Sequence, residues 1–391
     1  MSLIRTLSIA PRRFLLLSLG ALVAIGGASS ASAQSANALD GANALGALQT
    51  ARLSAAEFFT DGMTRRFVAS RFELHAEGTR DASGRPRQSF TYAPGTRNAG
   101  VGFWLDGYGG YSKIDSERNA DDLANYFAGA TVGFDMRGAV DAPYTLERLR
   151  AGVALGYVYN HTKSDPGVAE GQANTFQAAV YTSYSLPRIY LGTLGRLGVA
   201  NIETSRDITN AGSTQAAEGD TSGLDATALV ELGGLLGDPE GFAFRPLAAF
   251  QYTWVQQDAF DEQHPGSDAL SVGEKTTSSL VTRLGGRISS LWRYDNSLFG
   301  MGPTGEFGLE PVLHFSWNHE FGDRGRHIGV TDQSGSFTRL EGAESGRDYF
   351  IIGAGYTMRI HATALVSLTY DARLEADRFD QMARAGLLLH W

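Results

Sequence analysis

The sequence contains no cysteine, which excludes a disulfide framework, a thiolate metal site and a thiol nucleophile. Charge is also scarce, since 19% of the 391 residues are charged and the formal net charge is -9. Because a nucleic-acid partner requires a basic footprint, none is expected. No run after the N-terminus approaches the ~18 uninterrupted apolar residues of a membrane helix. Glycine is abundant, with 48 residues, as are tyrosine and phenylalanine, with 15 and 21. This composition fits a β-rich protein, in a membrane or in solution.

The N-terminus carries the features of a secretory signal peptide. Three arginines among the first 13 residues form a basic region, residues 14–27 form a short apolar region, and Ala-Ser-Ala at 31–33 supplies a small-residue cleavage pattern. We therefore expect residues 1–33 to act as a signal peptide, with a retained anchor helix as the alternative. An exported chain without a membrane helix is periplasmic, extracellular or a barrel of the outer membrane.

Residues 34–98 form a short segment that differs from the rest of the chain. Apolar residues recur at four-residue spacing from Ala55 to Phe67, and two more extend the stripe, so residues 45–74 are predicted to form an amphipathic helix that precedes a linker. Two interpretations stay open: a surface helix that binds a partner, or a plug helix whose arginines face carboxylates inside a pore. The residues assigned to the plug helix are Phe59, Met63, Arg65, Arg66, Phe67 and Arg71.

From Ala99 onward apolar residues recur at period two, which is typical of β-strands. In the run 309–321, for example, apolar side chains alternate with Glu310, His314 and other polar residues. About twelve such runs are present, and an even number is typical of bacterial barrels. The predicted fold class is all-β: a transmembrane antiparallel up-and-down β-barrel of about 12 strands over residues 99–391, with the N-terminal α-helix in or near its lumen.

The connections between the predicted strands give a second test of the membrane barrel. Those after odd-numbered strands are mostly long and polar, whereas several after even-numbered strands are short. Outer-membrane barrels have long external loops and short periplasmic turns, while a soluble sandwich has no reason to sort its loops in this way. The predicted long loops are 112–125, 161–172, 203–223, 256–277 and 322–347.

The final predicted strand, residues 381–391, has one wholly apolar face that ends on an aromatic residue. By itself this segment fits an edge strand of a soluble domain as well as a strand in a membrane. In a closed barrel it must also pair with the first strand, which leaves no free edge. The residues assigned to a C-terminal assembly signal are Leu387, Leu389 and Trp391.

Charged residues fall on the polar side of the alternation and are predicted to face the lumen, because a barrel wall in lipid tolerates charge only on its inner side. The functional interpretation is that carboxylates bind the arginines of the plug helix. The alternative is that these groups pair with one another and with water. The predicted lumen-facing set is Asp106, Asp135, Glu231, Arg245, Arg283, Arg287, Glu310, Arg359, Asp371, Arg373 and Arg384.

Catalytic and metal-binding patterns are weak. His314 and His319 are separated by an odd number of residues on one strand, so their side chains point to opposite faces and cannot share an ion with Glu320. No metal and no cofactor are therefore expected. Acid/base candidates for a barrel hydrolase lie in the first outer loops, where aspartate is common in any case, and no enzymatic activity is predicted. These candidates are Asp121, Asp122, His161 and Asp165.

Short motifs in four strands resemble the autotransporter β-domain of type V secretion. They are Trp104-Leu-Asp-Gly-Tyr-Gly in the first strand, Gly133-Phe-Asp in the second, Tyr370-Asp in the penultimate strand and the aromatic end of the last. The resemblance covers about 99–391 and implies a twelve-stranded barrel with a helix through its lumen. It also implies assembly by the outer-membrane insertion machinery, which reads the final strand. Residues 34–98 are too short for a solenoid passenger.

The sequence therefore predicts an outer-membrane barrel of a Gram-negative bacterium that acts as translocator and membrane anchor for its N-terminal segment. Its expected partners are outer-membrane lipid, the barrel assembly machinery and periplasmic chaperones, and a monomer is the expected state. One alternative is a stand-alone pore or a surface-structural, adhesive barrel that exports no passenger. A weaker alternative is an outer-membrane barrel hydrolase.

Overall fold

The computed structural model describes most of the chain from residue 48 onward. The predicted signal peptide, Arg71 and Trp391 lie outside the described residues. The described ranges are 48–67, 79–80, 86–87, 100–115, 122–137, 149–165, 169–186, 188–210, 213–238, 241–263, 269–294, 307–322, 326–342, 346–361 and 363–390.

Twelve long strands follow one another along the chain, each rich in the glycine, aromatic and β-branched residues that suit a twisted sheet. They are β1 (Val101–Ile114), β2 (Asp122–Arg137), β3 (Leu149–Asp165), β4 (Ala169–Ser185), β5 (Ile189–Asn210), β6 (Ser213–Gly234), β7 (Phe242–Gln257), β8 (Lys275–Ser290), β9 (Phe307–Glu320), β10 (Asp348–His361), β11 (Ala364–Leu374) and β12 (Arg378–His390). Four short pieces of two or three residues add minor pairings: Thr79–Arg80 with Pro86–Arg87, and Leu236–Gly237 and Trp292–Tyr294 with strands of the barrel.

Each strand pairs antiparallel with its neighbours in sequence, and β12 returns to pair with β1. The closing register runs from Arg378 opposite Ile114 to His390 opposite Gly102. The twelve-stranded closed barrel is therefore confirmed, together with the predicted pairing of the last strand with the first. Closure satisfies every strand edge within the barrel, which is the condition for placing a sheet in lipid.

The two faces of each strand differ in burial and in chemistry. In β4 exposure alternates through most of its 17 residues, with Phe176 and Val180 exposed on the outside while Thr175, Gln177 and Tyr181 are buried inside. The outward apolar side chains form the surface that contacts lipid, and the inward polar ones contact each other and the lumen contents. No helix in the described ranges has both the length and the apolar character needed to span a bilayer.

The strands at one end of the barrel are longer than the sequence indicated. Most of the predicted loop 203–223 is paired strand, because β5 continues to Asn210 and β6 begins at Ser213. The predicted loop 161–172 is likewise largely β3 and β4. These loop predictions are wrong because the outward residues there are polar, as Glu203 and Asp207 are. A strand that leaves the lipid meets water on its outer face and loses the apolar alternation that identifies it.

We call this end, where β1 ends, the hairpin end, and the opposite end, where β1 begins, the turn end. The predicted loops 256–277 and 322–347 contribute to a small four-stranded sheet at the hairpin end. Its core is formed by Phe260, Leu270, Val272, Ile328 and Val330. The strands are Phe260–Asp261, Ser271–Val272, Arg326–Thr331 and Phe337–Gly342.

One helix, α1, occupies residues 48–64, and a turn follows at 65–67. The prediction placed the helix at residues 45–74, of which 45–47 and 68–74 lie outside the described residues. At the end of the described helix the hydrogen bonding tightens, because the N–H groups of Arg66 and Phe67 donate to the carbonyls of Met63 and Thr64 at 2.8 and 3.1 Å. These three-residue spacings end the α-helix. The periodicity of the apolar stripe continues past this point, so the sequence pattern did not reveal the break.

Candidate functional site

Helix α1 lies inside the barrel along its length. Its N-terminal residue Leu48 is fully buried and packs with Ala173, Ala200 and Ile202, which lie toward the hairpin end of β4 and β5. At the other end Phe67 is buried near the start of β5. The helix therefore runs from the hairpin end toward the turn end, the end at which β1 begins.

A buried ion pair joins Arg66 at the end of α1 to Asp135 on β2. The guanidinium donates two hydrogen bonds to the carboxylate, at 2.9 Å from Nε and 3.2 Å from Nη2. The Tyr181 hydroxyl donates to the same carboxylate at 2.8 Å, and Arg150 lies 3.6 Å from it. Trp104 in turn donates to the Tyr181 oxygen at 2.9 Å. A planar guanidinium that donates two hydrogen bonds to one carboxylate fixes the relative orientation of the two groups as well as their distance.

Arg65, the neighbouring residue, reaches a different wall of the barrel. Its guanidinium donates to the Thr369 hydroxyl at 3.0 Å and to the Asp371 carboxylate at 3.1 Å, both on β11. Asp371 also contacts His314 of β9. The turn that ends α1 therefore directs two adjacent arginines to different strands of the wall, β2 and β11, and each arginine contacts one of the aspartates in the predicted lumen-facing set.

One and two helical turns before Arg65, the charges are reversed: the helix carries the carboxylates and the wall carries the arginines. Glu57 on α1 receives hydrogen bonds from Tyr349 at 2.9 Å and Arg373 at 3.2 Å, while Arg283 lies 3.4 Å away. Arg283 also donates to Asp61 of the helix. The sequence predicts that helix arginines bind barrel carboxylates, whereas these helix carboxylates were not among the predicted site residues. The available signal was the four-residue spacing of Glu57 and Asp61 on one helix face.

Aromatic residues of the helix fit against small residues of the wall. Phe58 stacks on Phe127 of β2 with ring centroids 4.6 Å apart. A Cβ added to Gly192 would lie 2.3 Å from the Phe67 ring, a distance that no packed side chain can occupy. At the other end of the helix the fit is looser, because a Cβ on Gly171 would lie 3.4 Å from Leu48. A methyl group at position 171 would therefore lie at an ordinary van der Waals distance from Leu48.

The N-terminal half of the helix makes fewer charged contacts. Gln49 accepts a hydrogen bond from Thr277 at 2.9 Å, and Ser54 accepts one from Arg378 at 2.6 Å. Arg52, which is 1% exposed, donates to backbone carbonyls of residues 256 and 224 at 3.0 and 3.3 Å. These are neutral or single-sided contacts, and no helix carboxylate takes part.

Arg384, another of the predicted lumen residues, contacts the helix directly. It donates to the carbonyl oxygen of Phe58 at 2.5 Å and lies 3.8 Å from Asp106. Glu231 accepts a hydrogen bond from Tyr190 at 2.7 Å. Arg245, Arg287 and Glu310 line cavities beside the helix, and Arg359 is half-buried on β10. Leu387 and Leu389 are half-buried on β12.

The sequence analysis also missed a buried pair within the wall. Arg196 on β5 and Asp225 on β6 lie 3.1 Å apart, and both side chains are almost fully enclosed. Arg196 also lies over the Phe59 ring of the helix, 5.7 Å from its centroid. β5 is rich in glycine, so the alternation of apolar and polar residues does not show which of its side chains face the lumen. The pair could therefore not be predicted from the sequence pattern.

The acid/base candidates do not converge. Asp122 and Asp165 are register partners of β2 and β3, whereas His161 lies four residues down β3 and 3.8 Å from Glu170. Asp121 lies outside the described residues. His314 contacts Asp371 inside the barrel and His319 contacts Asp348 at the hairpin end at 2.8 Å. Within the part of the chain that the structure describes, no group of three or more potential ligands could hold a metal.

A closed antiparallel barrel of twelve strands with a helix in its lumen is the architecture of an outer-membrane translocator. The autotransporter beta-domain family model matches residues 103–371. The chain belongs to this family, and its barrel is a translocator barrel of the outer membrane of a Gram-negative bacterium.

Solved structures and a curated relative agree with this assignment of the fold. The translocator domain of the autotransporter NalP from Neisseria meningitidis superposes with a TM-score of 0.57 at 16% identity, covering 86% of this chain and 97% of that one. The beta domain of the Bordetella autotransporter BrkA gives 0.52 at 18% identity, covering 74% and 98%. An extracellular serine protease of Serratia marcescens is 22% identical over 289 residues, or 73% of this chain. The chain spans about a quarter (26%) of the length of that relative.

Proposed function

We propose that the barrel translocates and then anchors the chain segment that precedes α1. The observation that carries this proposal is the direction of the helix, whose N-terminal residue lies at the hairpin end while its C-terminal turn lies toward the turn end. In outer-membrane barrels the longer connections face outward and the shorter ones face the periplasm. The projecting hairpins therefore mark the external side, and a segment attached to residue 48 leaves the lumen on that side.

The plug role assigned to α1 is part of the same proposal. Ion pairs from Glu57, Arg65 and Arg66 to strands β8, β11 and β2 hold the helix in the lumen after export. Because the outward-facing side chains of the wall are apolar, lipid holds the barrel in place, and the helix ties the exported segment to it. We propose domain limits of 1–33 for the signal peptide, 34–98 for the anchored segment and 99–391 for the barrel.

For assembly we propose that the outer-membrane insertion machinery, supplied by periplasmic chaperones, reads the final strand through Leu387, Leu389 and Trp391. The outward apolar face of β12 supports this. Trp391→Ser should lower the amount of heat-modifiable, assembled barrel in outer-membrane fractions. An unchanged amount would remove Trp391 from the signal.

We infer that the barrel has no catalytic role of its own. The spread of Asp122, His161 and Asp165 over separate positions supports this, since acid/base catalysis requires groups that converge on one reacting atom. An esterase or peptidase activity on intact cells above that of a control barrel would contradict this inference.

Single-channel conductance in planar bilayers tests the plug. Deletion of residues 35–78 removes α1 and should raise the conductance, because the space that the helix fills becomes open to ions. Deletion of 35–44 alone keeps the described helix and is the matched control, with conductance expected to stay at the wild-type level. Equal conductance of the two deletions would rule out the plug.

Surface proteolysis tests the direction of export. A protease site inserted after Gln34 should be cut on intact cells, since this position precedes the end of α1 that faces the hairpin end. Cleavage that requires permeabilised cells would favour the stand-alone pore. A tag at the N-terminus of the exported chain, ahead of the protease site, is released only when the inserted site is cut. Its release therefore distinguishes cleavage at this site from cleavage in the external hairpins.

A further inference from the structure

Three polar side chains on the inner faces of β3 and β4 carry hydrogen-bonding groups without a partner. The oxygen and nitrogen of the Asn160 amide, the Thr175 hydroxyl and Nε2 of Gln177 form no hydrogen bond with any residue in the described ranges. All three side chains are at most 4% exposed. A buried polar group without a partner has given up its hydrogen bonds to water for nothing, so such groups are rare in folded proteins.

The register partners of these residues belong to the apolar surface that α1 covers. Asn160 is directly opposite Phe127 on β2, which stacks on Phe58 of the helix, and opposite a β4 alanine in the apolar cluster of Leu48. The two register partners of Thr175 lie in the same two apolar clusters. The helix side chains in these clusters have no donor and no acceptor. A wall that served only to hold α1 would therefore carry apolar residues at both positions.

The three polar residues form a line that runs along the lumen. Thr175 lies two residues closer to the hairpin end of β4 than Gln177, and Asn160 is opposite residue 173, two residues closer again. Because a strand rises by about 3.4 Å per residue, successive members of the line are about 7 Å apart along the strand direction. An extended polypeptide presents its peptide N–H and C=O groups to one side with the same two-residue period.

We propose that Gln177, Thr175 and Asn160 bind the peptide backbone of the exported chain while it crosses the lumen. The inference rests on the proposed translocation, in which the segment that precedes α1 passes toward the hairpin end before the helix occupies the same space. Peptide groups that leave bulk water need partners. A side-chain amide offers a donor and an acceptor at one site, and a hydroxyl offers both from one oxygen.

This assignment has two consequences. Because the contacts are with the backbone, they do not depend on which side chains the exported segment carries. When α1 takes its final place, its apolar face covers the three polar residues, so groups that assist export make the resting state less stable. Apolar replacement is therefore expected to affect the two states in opposite directions.

The resting state is tested by thermal unfolding of the purified mature protein in detergent, followed by heat modifiability on gels. Thr175→Val replaces the hydroxyl with a methyl group of similar size, and the midpoint should stay at the wild-type value or rise by up to about 4 °C. Thr162→Val is the matched control, because the Thr162 hydroxyl donates to Asn125 at 3.1 Å, and its midpoint should fall. A fall in the midpoint of Thr175→Val would overturn the inference.

Export is followed in intact cells by pulse labelling, through release of the N-terminal tag at the protease site inserted after Gln34. In Thr175→Val the half-time of release should lengthen about two- to tenfold, the factor that corresponds to one hydrogen bond. Asn160→Ala should delay release at least as much, because both a donor and an acceptor are lost. Thr175→Ser keeps the hydroxyl and should export at the wild-type rate.

Thr182→Val is the control for export, because it makes the same substitution on the exposed, lipid-facing side of β4. Its half-time should equal that of the wild type. Wild-type half-times in both Thr175→Val and Asn160→Ala, or a delay in Thr182→Val as long as theirs, would overturn the backbone-binding line and leave the proposed translocation standing. No release of the tag from wild-type cells would instead overturn the proposed translocation, and the inference with it.

Discussion

The two halves of α1 contact the barrel by different means. Residues 48–56 are mostly small or apolar and meet the wall through hydrogen bonds that are neutral, as that of Gln49 with Thr277, or that have one charged partner, as those of Arg52 with backbone carbonyls. Residues 57–67 meet it through ion pairs that reach β2, β8 and β11, led by Arg66 with Asp135. One helix thus has a half that fills space and a half that is fixed in orientation and depth.

The difference indicates where the position of the helix is specified. Small side chains and backbone acceptors fit many registers, since neighbouring helix positions offer similar groups. A bidentate contact such as that of Arg66 fits one register, because displacement of the helix by one residue breaks both hydrogen bonds to Asp135. We therefore expect substitutions in the C-terminal half, and in the wall residues facing it, to have the larger effects.

The largest expected effect follows from Asp135→Asn. The substitution leaves Arg66 and Arg150 in an enclosed site without their counter-charge, and breaking such a pair costs about 3–5 kcal/mol. Urea unfolding of the refolded barrel in detergent measures this loss. Asp207→Asn, on the exposed face of β5, is the matched control and should stay within about 0.5 kcal/mol of wild type. Equal midpoints for the two variants would contradict the specified contact.

An intermediate effect is expected for Glu57→Gln. The carboxylate accepts from Tyr349 and Arg373, so neutralising it should cost about 1.5–3 kcal/mol, the range for hydrogen bonds to charged groups. Gln49→Ala in the other half removes one neutral hydrogen bond and should cost about 0.5–1.5 kcal/mol. If Gln49→Ala proves the more damaging in urea titrations, the two halves do not differ as described.

The smallest expected effect compares two glycines of the wall. Gly192→Ala forces a methyl group against Phe67 and should cost about 1–3 kcal/mol through overpacking. Gly171→Ala places its methyl at contact distance from Leu48 and should change stability little. Phe67→Ala combined with Gly192→Ala should recover part of the loss, measured against Phe67→Ala alone. A fully additive double variant would show that the two residues do not meet.

The strands within lipid could be predicted from the sequence because one face of each strand contacts lipid and the other faces the polar lumen. In β9, Leu313 and Phe315 face out while Glu310 and Asn318 are buried, and the alternation of apolar and polar residues follows this directly. The same reasoning yielded the strand count and the pairing of β12 with β1. It also placed Asp135 and Asp371 on the inner face, where the structure has them.

The features that were not predicted lie where a strand or helix no longer has lipid on one face and the lumen on the other. The stretch 203–223 meets water on its outer face, so its pairing depends on register and not on hydropathy. Glu57 and Asp61 sit on a helix in a polar lumen, and such a helix has the same amphipathic pattern as one on a protein surface. The line formed by Gln177, Thr175 and Asn160 could not be seen from the chain, because only the register between β3 and β4 brings these residues together.

The count of passages through the barrel has one more consequence. Twelve strands are an even number, so the chain ends β12 on the side where it began β1. Helix α1 adds a thirteenth passage, which makes the total odd. Residue 48 therefore lies toward the hairpin end and residue 390 at the turn end, and this separation follows from the odd number of passages made by the described segments, whatever the lengths of the loops. Deletion of one pair of strands would preserve this separation, because it removes an even number of passages. Deletion of the helix alone would leave an even number of passages, and the chain would then enter and leave the barrel at the same end.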